Sequence, residues 1–561
     1  MRIASCSALV LCLVSVSVLA QTLPGDRDLI RDRQERLLEE QQRRLEELRN
    51  LPGERLQPAP LPADDPTRCF DIQRIVLQGA ALITEQQNTL MLEPFIGQCL
   101  GANQLNEVLR VVTAFYLDRG YVTARAYLPQ QDLSDGVLEV LVIEGRLEGL
   151  ESSALASDRE LAMAFPGQVG ERLNLRELEQ LVDQLGRLPS RQVQLELLPG
   201  DEVGGSRVQL QGQRSKPWHV AASRHNDGQR STGEQQWDAS LVWDSPLGLG
   251  DQVRLRGGGD AVSDRWRHSA NQSVMYSLPY GWWTFDYGYS QSYYRTRNQA
   301  AGFVFASDGE SKRHQLSAER VIHRDNLGKT GMNLGLAHLR TRNYIENSLL
   351  ESSSHRLSEL QIGGNHGRRL GGAFVNADLG WQQGIGAFDA QSNGRPQGSQ
   401  PVARYNKYSL TLSYLQPFRL WDEGFSVDSL FNGQRSEDVL FGPQRISLGG
   451  LASVRGFKDQ SLAGDSGFYW RSNLRWRRPV LNPTLAPWIS EYGAALGYDL
   501  GEIRATSANP GQHGRLSGQA LELSARGKHM AASVTFARSL QRPDALPRDE
   551  HPTYFRFDLF F

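Results

Sequence analysis

The spacing of apolar residues along the chain changes near residue 214. Before that point, apolar residues recur three and four positions apart in two stretches, at 105–116 and 175–185. After it, apolar and polar residues alternate, as at 283–289 and 408–414. Helical spacing predicts amphipathic helices, and strict alternation predicts strands with two unlike faces. The pattern therefore predicts α/β structure first and a long all-β region second.

The helical stretches belong to two small α/β units, at 68–145 and 146–213. The first holds a helix at 103–119 that stops at Gly120, and the second holds a helix capped by Asn174. The predicted strands lie at 71–77, 121–128, 137–145, 192–198 and 206–212. Such small sheets leave open edges, which can accept an extended peptide as an added strand.

Residues 214–561 predict a transmembrane antiparallel β-barrel of about 16 strands, at roughly 22 residues for each strand and its connection. One strand face is apolar and aromatic, and the other is polar or charged, as at Arg471, Arg475 and Arg556. All eleven tryptophans lie in this region. The strands of a soluble β-sandwich also alternate between apolar and polar residues. Their polar face, however, does not carry such charge over so long a segment. A closed barrel satisfies every backbone group in lipid.

The N-terminal residues 1–20 read as a secretory signal peptide, with Arg2, an apolar stretch at 8–19 and small residues before Gln21. The stretch is too short for a membrane anchor. Cleavage of the signal peptide would remove two of the four cysteines and leave Cys69 and Cys99. In an oxidising compartment we expect these two to form one disulfide rather than remain free thiols.

A highly charged helix is predicted at 21–50, followed by a linker at 51–67 that carries five prolines. Seven basic and seven acidic residues lie between 27 and 50. Three pairs have the spacing of helical ion pairs, namely Asp32–Arg36, Glu39–Arg43 and Glu40–Arg44. Its apolar stripe is too thin for a core helix. A solvated helix, a coiled coil and a mobile helix in a water-filled cavity all fit this pattern.

The composition argues against several function classes. The net charge of −2 gives no support to nucleic-acid binding. The chain has no GxxxxGKS, HExxH or GxSxG motif and no metal-ligand spacing. We therefore predict neither catalysis nor a cofactor nor a metal site.

The order of segments resembles the two-partner secretion translocators, the haemolysin secretion/activation (ShlB/FhaC, CdiB-type) family, with two POTRA domains before the barrel. The motifs that carry the resemblance are RGYVTARAYLPQQ at 119–131, VIEG at 142–145, LNLRELEQ at 173–180, GRLPS at 186–190, PLGLGD at 246–251 and GGLASVRGF at 449–457. Each motif is weak alone, and their order is highly specific.

The resemblance implies that the loop with Val454, Arg455, Gly456 and Phe457 folds back into the barrel. There Arg455 would pair with the Asp of a D-x-G pattern, here Asp499 followed by Gly501. The family often has Phe two residues before this Asp, whereas this chain has Gly497. Without the motif, Arg455 would read as an ordinary exposed loop arginine.

The last strand also resembles a family feature, the C-terminal signal of outer-membrane proteins. Four residues of this strand would face lipid: Phe555, Phe557, Leu559 and Phe561. The charged helix matches the family's plug, and a free periplasmic helix is the alternative.

The implied function is export of one large β-helical partner exoprotein, an adhesin, a haemolysin or a contact-dependent inhibition toxin. The periplasmic POTRA domains would bind the partner's N-terminal secretion domain. Further expected partners are outer-membrane lipid and, during biogenesis, the barrel-assembly machinery; we expect a monomer. The alternatives are a barrel-assembly insertase of the same superfamily and a diffusion porin.

Overall fold

A computed structural model describes residues 23–51, 69–152, 155–300, 302–393 and 400–561. The predicted signal peptide lies outside the described residues, as does the linker after residue 51. The chain forms an N-terminal helix, two α/β units and a closed antiparallel barrel of 16 strands. The predicted fold class is confirmed.

The N-terminal helix is α1 (Pro24–Arg49). The first unit contains β1 (Phe70–Ile72), β2 (Arg74–Gln78), α2 (Glu85–Leu92), β3 (Gln98–Leu100), α3 (Ala102–Asp118), β4 (Arg125–Tyr127) and β5 (Val137–Ile143). Its sheet has the order β2-β5-β4, and β1 pairs with β3. The apolar face of α3 packs on this sheet, because Val108, Val112 and Tyr116 are fully buried in the same cluster as Leu138 and Val140. A disulfide joins Cys69 to Cys99, with Cα atoms 5.2 Å apart.

Two strand predictions in this unit were wrong in extent. The predicted strand 121–128 contains β4 alone, because the chain turns first: the Tyr121 amide donates to the Tyr116 carbonyl at 2.9 Å. The run 71–77 divides at Gln73 into two strands that belong to different sheets.

The second unit contains β6 (Arg146–Ser152), α4 (Asp158–Ala164), α5 (Leu175–Gly186), β7 (Arg191–Pro199) and β8 (Gly205–Arg214). Its sheet has the order β6-β8-β7, which leaves β7 with a free edge nine residues long. Leu178, Leu181 and Leu185 of α5 are buried against this sheet.

The barrel begins after residue 214, the last residue of β8. Its first seven strands are β9 (Trp218–His225), β10 (Gln236–Asp244), β11 (Gln252–Asp260), β12 (His268–Tyr280), β13 (Trp283–Ala300), β14 (Phe303–Arg324) and β15 (Gly328–Ile345). A two-residue strand, β16 (Ser348–Leu349), pairs with the end of β15. The next four are β17 (Arg356–Leu370), β18 (Ala373–Ile385), β19 (Asn406–Leu420) and β20 (Glu423–Arg435).

A hairpin of β21 (Ile446–Leu448) and β22 (Leu462–Gly464) interrupts the barrel and forms a sheet of its own. The last five wall strands are β23 (Gly467–Pro479), β24 (Glu491–Ile503), β25 (Gly514–Arg526), β26 (Met530–Gln541) and β27 (Thr553–Phe560). Closure comes from β27 pairing with β9.

The two faces of the wall strands differ as their alternation predicts. Along β14, Glu319 faces the lumen and contacts α1, while Leu316 faces outward and is 54% exposed. Along β18, Asp378 faces α1 and Leu379 faces outward. An apolar outer face and a polar inner face suit a barrel with lipid outside and water inside. Within the described residues, no helix is both long and apolar enough to cross a bilayer.

Candidate transport path in the barrel lumen

Helix α1 lies inside the barrel. Its 26 residues span about 39 Å at 1.5 Å for each residue. Near its first turn, the Arg27 guanidinium donates to the Asp459 carbonyl at 3.4 Å. Near its last turn, Glu47 lies 3.3 Å from Lys329, beside the second unit, and Leu48 packs on Phe374. The helix therefore runs the length of the lumen, with its C-terminus at the end of the barrel beside the second unit.

The charged residues of α1 contact the wall more than one another. Arg44 contacts Glu319 at 3.2 Å and Asp378 at 3.6 Å, in addition to Glu40 within the helix. Gln41 donates to Asp378 at 2.7 Å and accepts from Ser413 at 2.9 Å. A helix with charges on all sides is stable here because the lumen supplies polar partners around its circumference.

The predicted pairs within the helix were partly wrong. Glu40–Arg44 forms, at 2.8 Å. Arg43 instead lies 3.8 Å from Glu47, and Glu39 lies 3.8 Å from Arg256 of the wall. The spacing gives the possible helical partners, but the surrounding wall decides which ones form.

The loop between β20 and β23 folds inward and forms an apolar cluster within the barrel. Val454 and Phe457 are fully buried in it, and Leu38 of α1 packs against it. The other members are Leu430, Ile446, Leu448, Leu462, Tyr469, Ile503, Leu516 and Leu546. Gln34 of α1 also donates to the Ser447 carbonyl at 2.8 Å. The loop and the helix therefore hold each other in place.

Arg455 and Asp499 form a buried, bidentate ion pair at the inner end of this loop. The Asp499 carboxylate accepts from Arg455 Nε at 2.7 Å and from Arg455 Nη2 at 2.6 Å. It also accepts from the Arg455 backbone amide at 2.9 Å. Three donors on one carboxylate fix both the side chain and the backbone of the loop at this point.

Four glycines make room for this arrangement. A Cβ atom at Gly497 would lie 2.2 Å from Arg455 Nη2, so the guanidinium occupies the space of a missing side chain. Gly518 makes room for the backbone of Gly456, since a Cβ at Gly518 would lie 2.9 Å from the Gly456 nitrogen. Gly501 similarly accommodates Leu448. The departure from the family pattern at residue 497 thus has a steric reason in this chain.

Two residues that the sequence did not single out also hold the loop. The Glu550 carboxylate accepts from the backbone amides of Lys458 at 2.6 Å and of Asp459 and Gln460 at 3.1 Å. The Tyr554 hydroxyl donates to the Arg455 carbonyl at 3.2 Å. Both residues follow β26, far from the loop in the sequence. No local sequence pattern could therefore predict their contact with it.

The structure places the C-terminal residues on the outer face of β27. Tyr554 faces the lumen, and the alternation puts Phe555, Phe557 and Leu559 on the opposite side. The Phe561 amide donates to the Val220 carbonyl at 2.9 Å.

The second unit docks on one end of the barrel through α5 and the start of β7. Gln184 donates to the carbonyls of Gly281 and Trp283, each at 3.1 Å. The Ser190 amide donates to Asp244 at 2.8 Å. Burial of the Glu160 carboxyl opposes its ionisation, yet hydrogen bonds from Ser245 and Ser157 and the ion pair with Arg191 hold its pKa below the usual range. These contacts fix the unit beside the lumen entrance.

Lys329 joins three parts of the molecule at this entrance. Its ammonium lies 3.3 Å from Glu47 of α1 and 3.3 Å from Asp183 of α5. Arg324 also pairs with Asp183 and contacts Glu179 at 2.9 Å. Burial raises the pKa of Asp183, but Lys329 and Arg324 outweigh it and hold that pKa below its usual value.

Comparison with known proteins identifies this architecture. The family model of the haemolysin secretion/activation proteins ShlB/FhaC/HecB matches residues 204–525. A ShlB-type POTRA domain model matches residues 70–145, and a second POTRA model matches 146–199. The chain belongs to the ShlB/FhaC/HecB family. The expected resemblance is therefore confirmed, and the two α/β units are POTRA domains.

Relatives within the family cover nearly the whole chain. The outer membrane transporter CdiB of Escherichia coli O6:K15:H31 is 35% identical over 98% of this chain and 93% of that protein. The hemolysin transporter protein ShlB of Serratia marcescens is 32% identical over 89% of each chain. The solved structure of CdiB from Escherichia coli superposes with a TM-score of 0.92 at 34% identity, over 97% of this chain and all of that chain.

Membership of the ShlB/FhaC/HecB family places the protein in the outer membrane, with its POTRA domains in the periplasm. It is a transporter of two-partner secretion. The interpretation of residues 214–561 as a soluble sandwich is excluded, since the strands close into a barrel.

Proposed function

We propose that this protein exports one large β-helical exoprotein, whether an adhesin, a haemolysin or a contact-dependent inhibition toxin. The observation that carries the proposal is the content of the lumen, a polar helix and a folded loop held by side-chain contacts. Water and an extended chain can take the place of such contacts. The related CdiB and ShlB are named as an outer membrane transporter and a hemolysin transporter.

The partner enters through the POTRA domains by strand addition. The free edge of β7 is the longest in the two POTRA sheets, and its first residue, Arg191, lies beside the barrel base through Glu160 and Ser245. An extended segment that pairs with β7 therefore points toward the lumen entrance. Backbone pairing gives affinity, and the alternate side chains give selectivity for the secretion domain.

Helix α1 serves as a plug that leaves during export. It occupies the lumen from Pro24 to Arg49 and contacts the wall along its length, so it stands in the path of an extended chain. The loop with Val454, Arg455, Gly456 and Phe457 remains as a lining, anchored by Asp499 two residues before Gly501. Folding of the exported β-helix outside the cell supplies the direction of transport.

Targeting follows from the two ends of the chain. Residues 1–20 direct export to the periplasm and are removed, and the outward-facing Phe555, Phe557, Leu559 and Phe561 present the last strand to the barrel-assembly machinery. The mature protein works as a monomer in outer-membrane lipid.

The test is co-production with a very large exoprotein whose gene is sought beside that of the transporter, in a Gram-negative host without another such pair. Export predicts full-length exoprotein in the medium, and none when a variant without residues 69–213 replaces the transporter. An exoprotein that stays in the periplasm with a correctly inserted transporter would falsify the proposal.

The alternative function, a barrel-assembly insertase, predicts a different result in the same cells. An insertase would raise the surface level of unrelated barrels and leave the exoprotein unaffected. Measuring both quantities in one experiment separates the two functions.

A further inference from the structure

The outer face of the barrel carries a cationic patch on three neighbouring wall strands, β14, β15 and β17, above its apolar surface. In the pairing of β14, β15 and β17, outward residues form rows across the strands. The apolar rows contain Leu316 opposite Leu336 and Leu334 opposite Ile362. Leu334 and Leu316 are each 54% exposed, as expected of side chains that face lipid. We call the polar rows above them the outer cationic patch.

The outer cationic patch begins directly above the leucines. The first row places His314 opposite His338. The second row places Lys312 opposite Arg340, and Arg340 opposite Arg356 of β17. In the third row Arg342 lies opposite Glu310. Three cations therefore stand side by side on adjacent strands.

The height of the patch corresponds to the outer headgroup region. Met332, the lowest apolar residue of this face on β15, is eight residues from Arg340. At about 3.3 Å for each residue and a strand tilt of about 40°, the two differ by roughly 20 Å in height. The apolar band of such barrels is about 25 Å tall. Arg340 and Arg342 thus lie at the upper edge of the bilayer, on the extracellular side.

The charges of the patch are incompletely balanced by the protein. Lys312 pairs with Glu310 at 2.7 Å, and Arg356 pairs with Asp389. Among the described residues, Arg340 and Arg342 have no carboxylate within 4.0 Å. Elsewhere on the outer face, Arg435 pairs with Glu437 at 3.3 Å and Arg515 with Glu502 at 2.9 Å.

Like charges opposite each other on neighbouring strands destabilise a sheet. A row of three cations at the edge of lipid is tolerable when an external anion lies among them. Guanidinium groups bind phosphate in a bidentate manner, and basic clusters at a membrane surface bind anionic lipid headgroups. Arg340 is free to do so, whereas Arg342 shares the Glu310 carboxylate with Lys312 and keeps donors to spare.

We propose that the outer cationic patch binds the phosphorylated glycolipid of the outer leaflet, lipopolysaccharide, through the phosphates of its headgroup. The acyl chains then lie along Leu316, Leu334, Leu336 and Ile362 below. Arg340 provides a charge that the protein leaves unpaired, Arg342 adds a second charge that is only partly balanced by Glu310, and Lys312 and Arg356 border the site. This binding site is independent of the export path, because all of its residues face away from the lumen.

The test compares the double variant Arg340→Gln/Arg342→Gln with Arg435→Gln, a matched outward arginine on β20. Each protein is purified from outer membranes in mild detergent, and the lipopolysaccharide retained by each barrel is measured by mass spectrometry. We expect at least a fivefold loss in the double variant and less than a twofold change in Arg435→Gln. Gel mobility with and without heating confirms that each barrel is folded.

A second measurement tests the chemistry of the ligand. Lipopolysaccharide added to lipid-free refolded barrel is expected to raise the unfolding temperature of the wild type and to raise that of the double variant less. The effect should weaken as salt increases, as for any exposed electrostatic contact. The variant Arg340→Lys/Arg342→Lys, which keeps both charges, should retain part of the effect.

Three outcomes overturn the proposal. The first is equal retention of lipopolysaccharide by the wild type and the double variant. The second is an equal loss in Arg435→Gln, which would mean that retention reflects net charge. The third is equal stabilisation by phosphatidylglycerol, an anionic phospholipid, at the same phosphate concentration.

Discussion

Arg455 is held by one carboxylate at three points, and the residue is 3% exposed while Asp499 is fully buried. Removal of either partner from a buried pair costs about 3–5 kcal/mol, and water in the lumen lowers this. A remaining cost of about 1.4 kcal/mol still changes the population of the anchored loop about tenfold.

We therefore expect Arg455→Ala to lower secretion of the partner far more than it lowers insertion of the barrel. Asp499→Ala should give the same result, and Arg455→Lys should recover part of the activity, because lysine lacks the planar fork. The measurements are exoprotein in the medium and the heat-modifiable mobility of the transporter. Arg435→Ala serves as the control, and normal secretion by Arg455→Ala would contradict an anchoring role.

Gly497 gives an independent test of the same geometry. A Cβ there would lie 2.2 Å from Arg455 Nη2, so Gly497→Ala must displace the guanidinium from Asp499. We expect a secretion defect comparable to that of Arg455→Ala in a folded barrel. In the control Gly424→Ala, the new Cβ would meet its nearest atom, the Arg477 carbonyl, at 3.7 Å. Equal secretion by the two glycine variants would show that the pair tolerates displacement.

Among the elements, α1 fills the lumen without belonging to the wall. Its deletion, residues 24–49, leaves every strand pair of the barrel intact. We expect a large rise in conductance in planar bilayers, because the helix blocks ions sterically, while secretion largely survives. Unchanged conductance would mean that other segments close the pore.

Lys329 connects this helix to the second POTRA domain, with Glu47 and Asp183 each 3.3 Å away. We expect Lys329→Gln to increase the frequency of channel opening, since the C-terminal end of α1 loses its shared partner. Lys528→Gln, an exposed lysine in a periplasmic turn, is the control. Opening at the wild-type frequency would rule out this coupling.

The ion pair between Lys329 and Asp183 forms only while the Asp183 carboxyl is ionised, so the coupling depends on pH. The pKa of Asp183 is lowered in the folded protein. Its stabilising contribution is therefore complete above the usual aspartate pKa of 3.8 and is lost as the pH falls through the lower folded pKa. Conductance should therefore be constant in this respect from pH 5 to 8, and a change there would point to another group.

The elements that the sequence predicted best are those with a strong local period. Examples are the helices at 103–119 and 175–186 and the alternating wall strands. The apolar face of each element shows which of its sides is buried or faces lipid. Helix α2 was missed because Glu85–Leu92 has no apolar stripe. The Arg455–Asp499 pair came from a family motif, whereas Gly497, Glu550 and Lys329 depend on contacts between distant segments and leave no local signal.

At the scale of the whole molecule, barrel closure depends on a short seam. Strands β9 and β27 share five register pairs, compared with thirteen between β12 and β13. Asn226 extends the seam beyond β9: its side chain donates to the Thr553 carbonyl at 2.9 Å and accepts from the Phe555 amide at 2.8 Å.

We expect Asn226→Ala to lower the temperature at which the barrel loses its compact gel mobility. The two lost hydrogen bonds correspond to about 1–3 kcal/mol. Asn298→Ala, whose side chain bonds Ser307 across the β13–β14 pair, is the control because that pair spans eighteen register positions. A smaller effect at Asn226 than at Asn298 would mean that the seam does not limit stability.

The length of α1 has a consequence for the kinetics of opening. Its wall contacts are spread from Arg27 to Glu47, about 30 Å apart along the helix. A rigid helix that slides by one turn, about 5.4 Å, moves all of these side chains beyond reach of their partners together. No position part of the way out recovers a comparable set of contacts, so the helix has one seated state and no graded series of partial ones. Current records from single molecules should therefore switch abruptly between two levels, and the rate of leaving should depend on all the contacts jointly rather than on the last one to break.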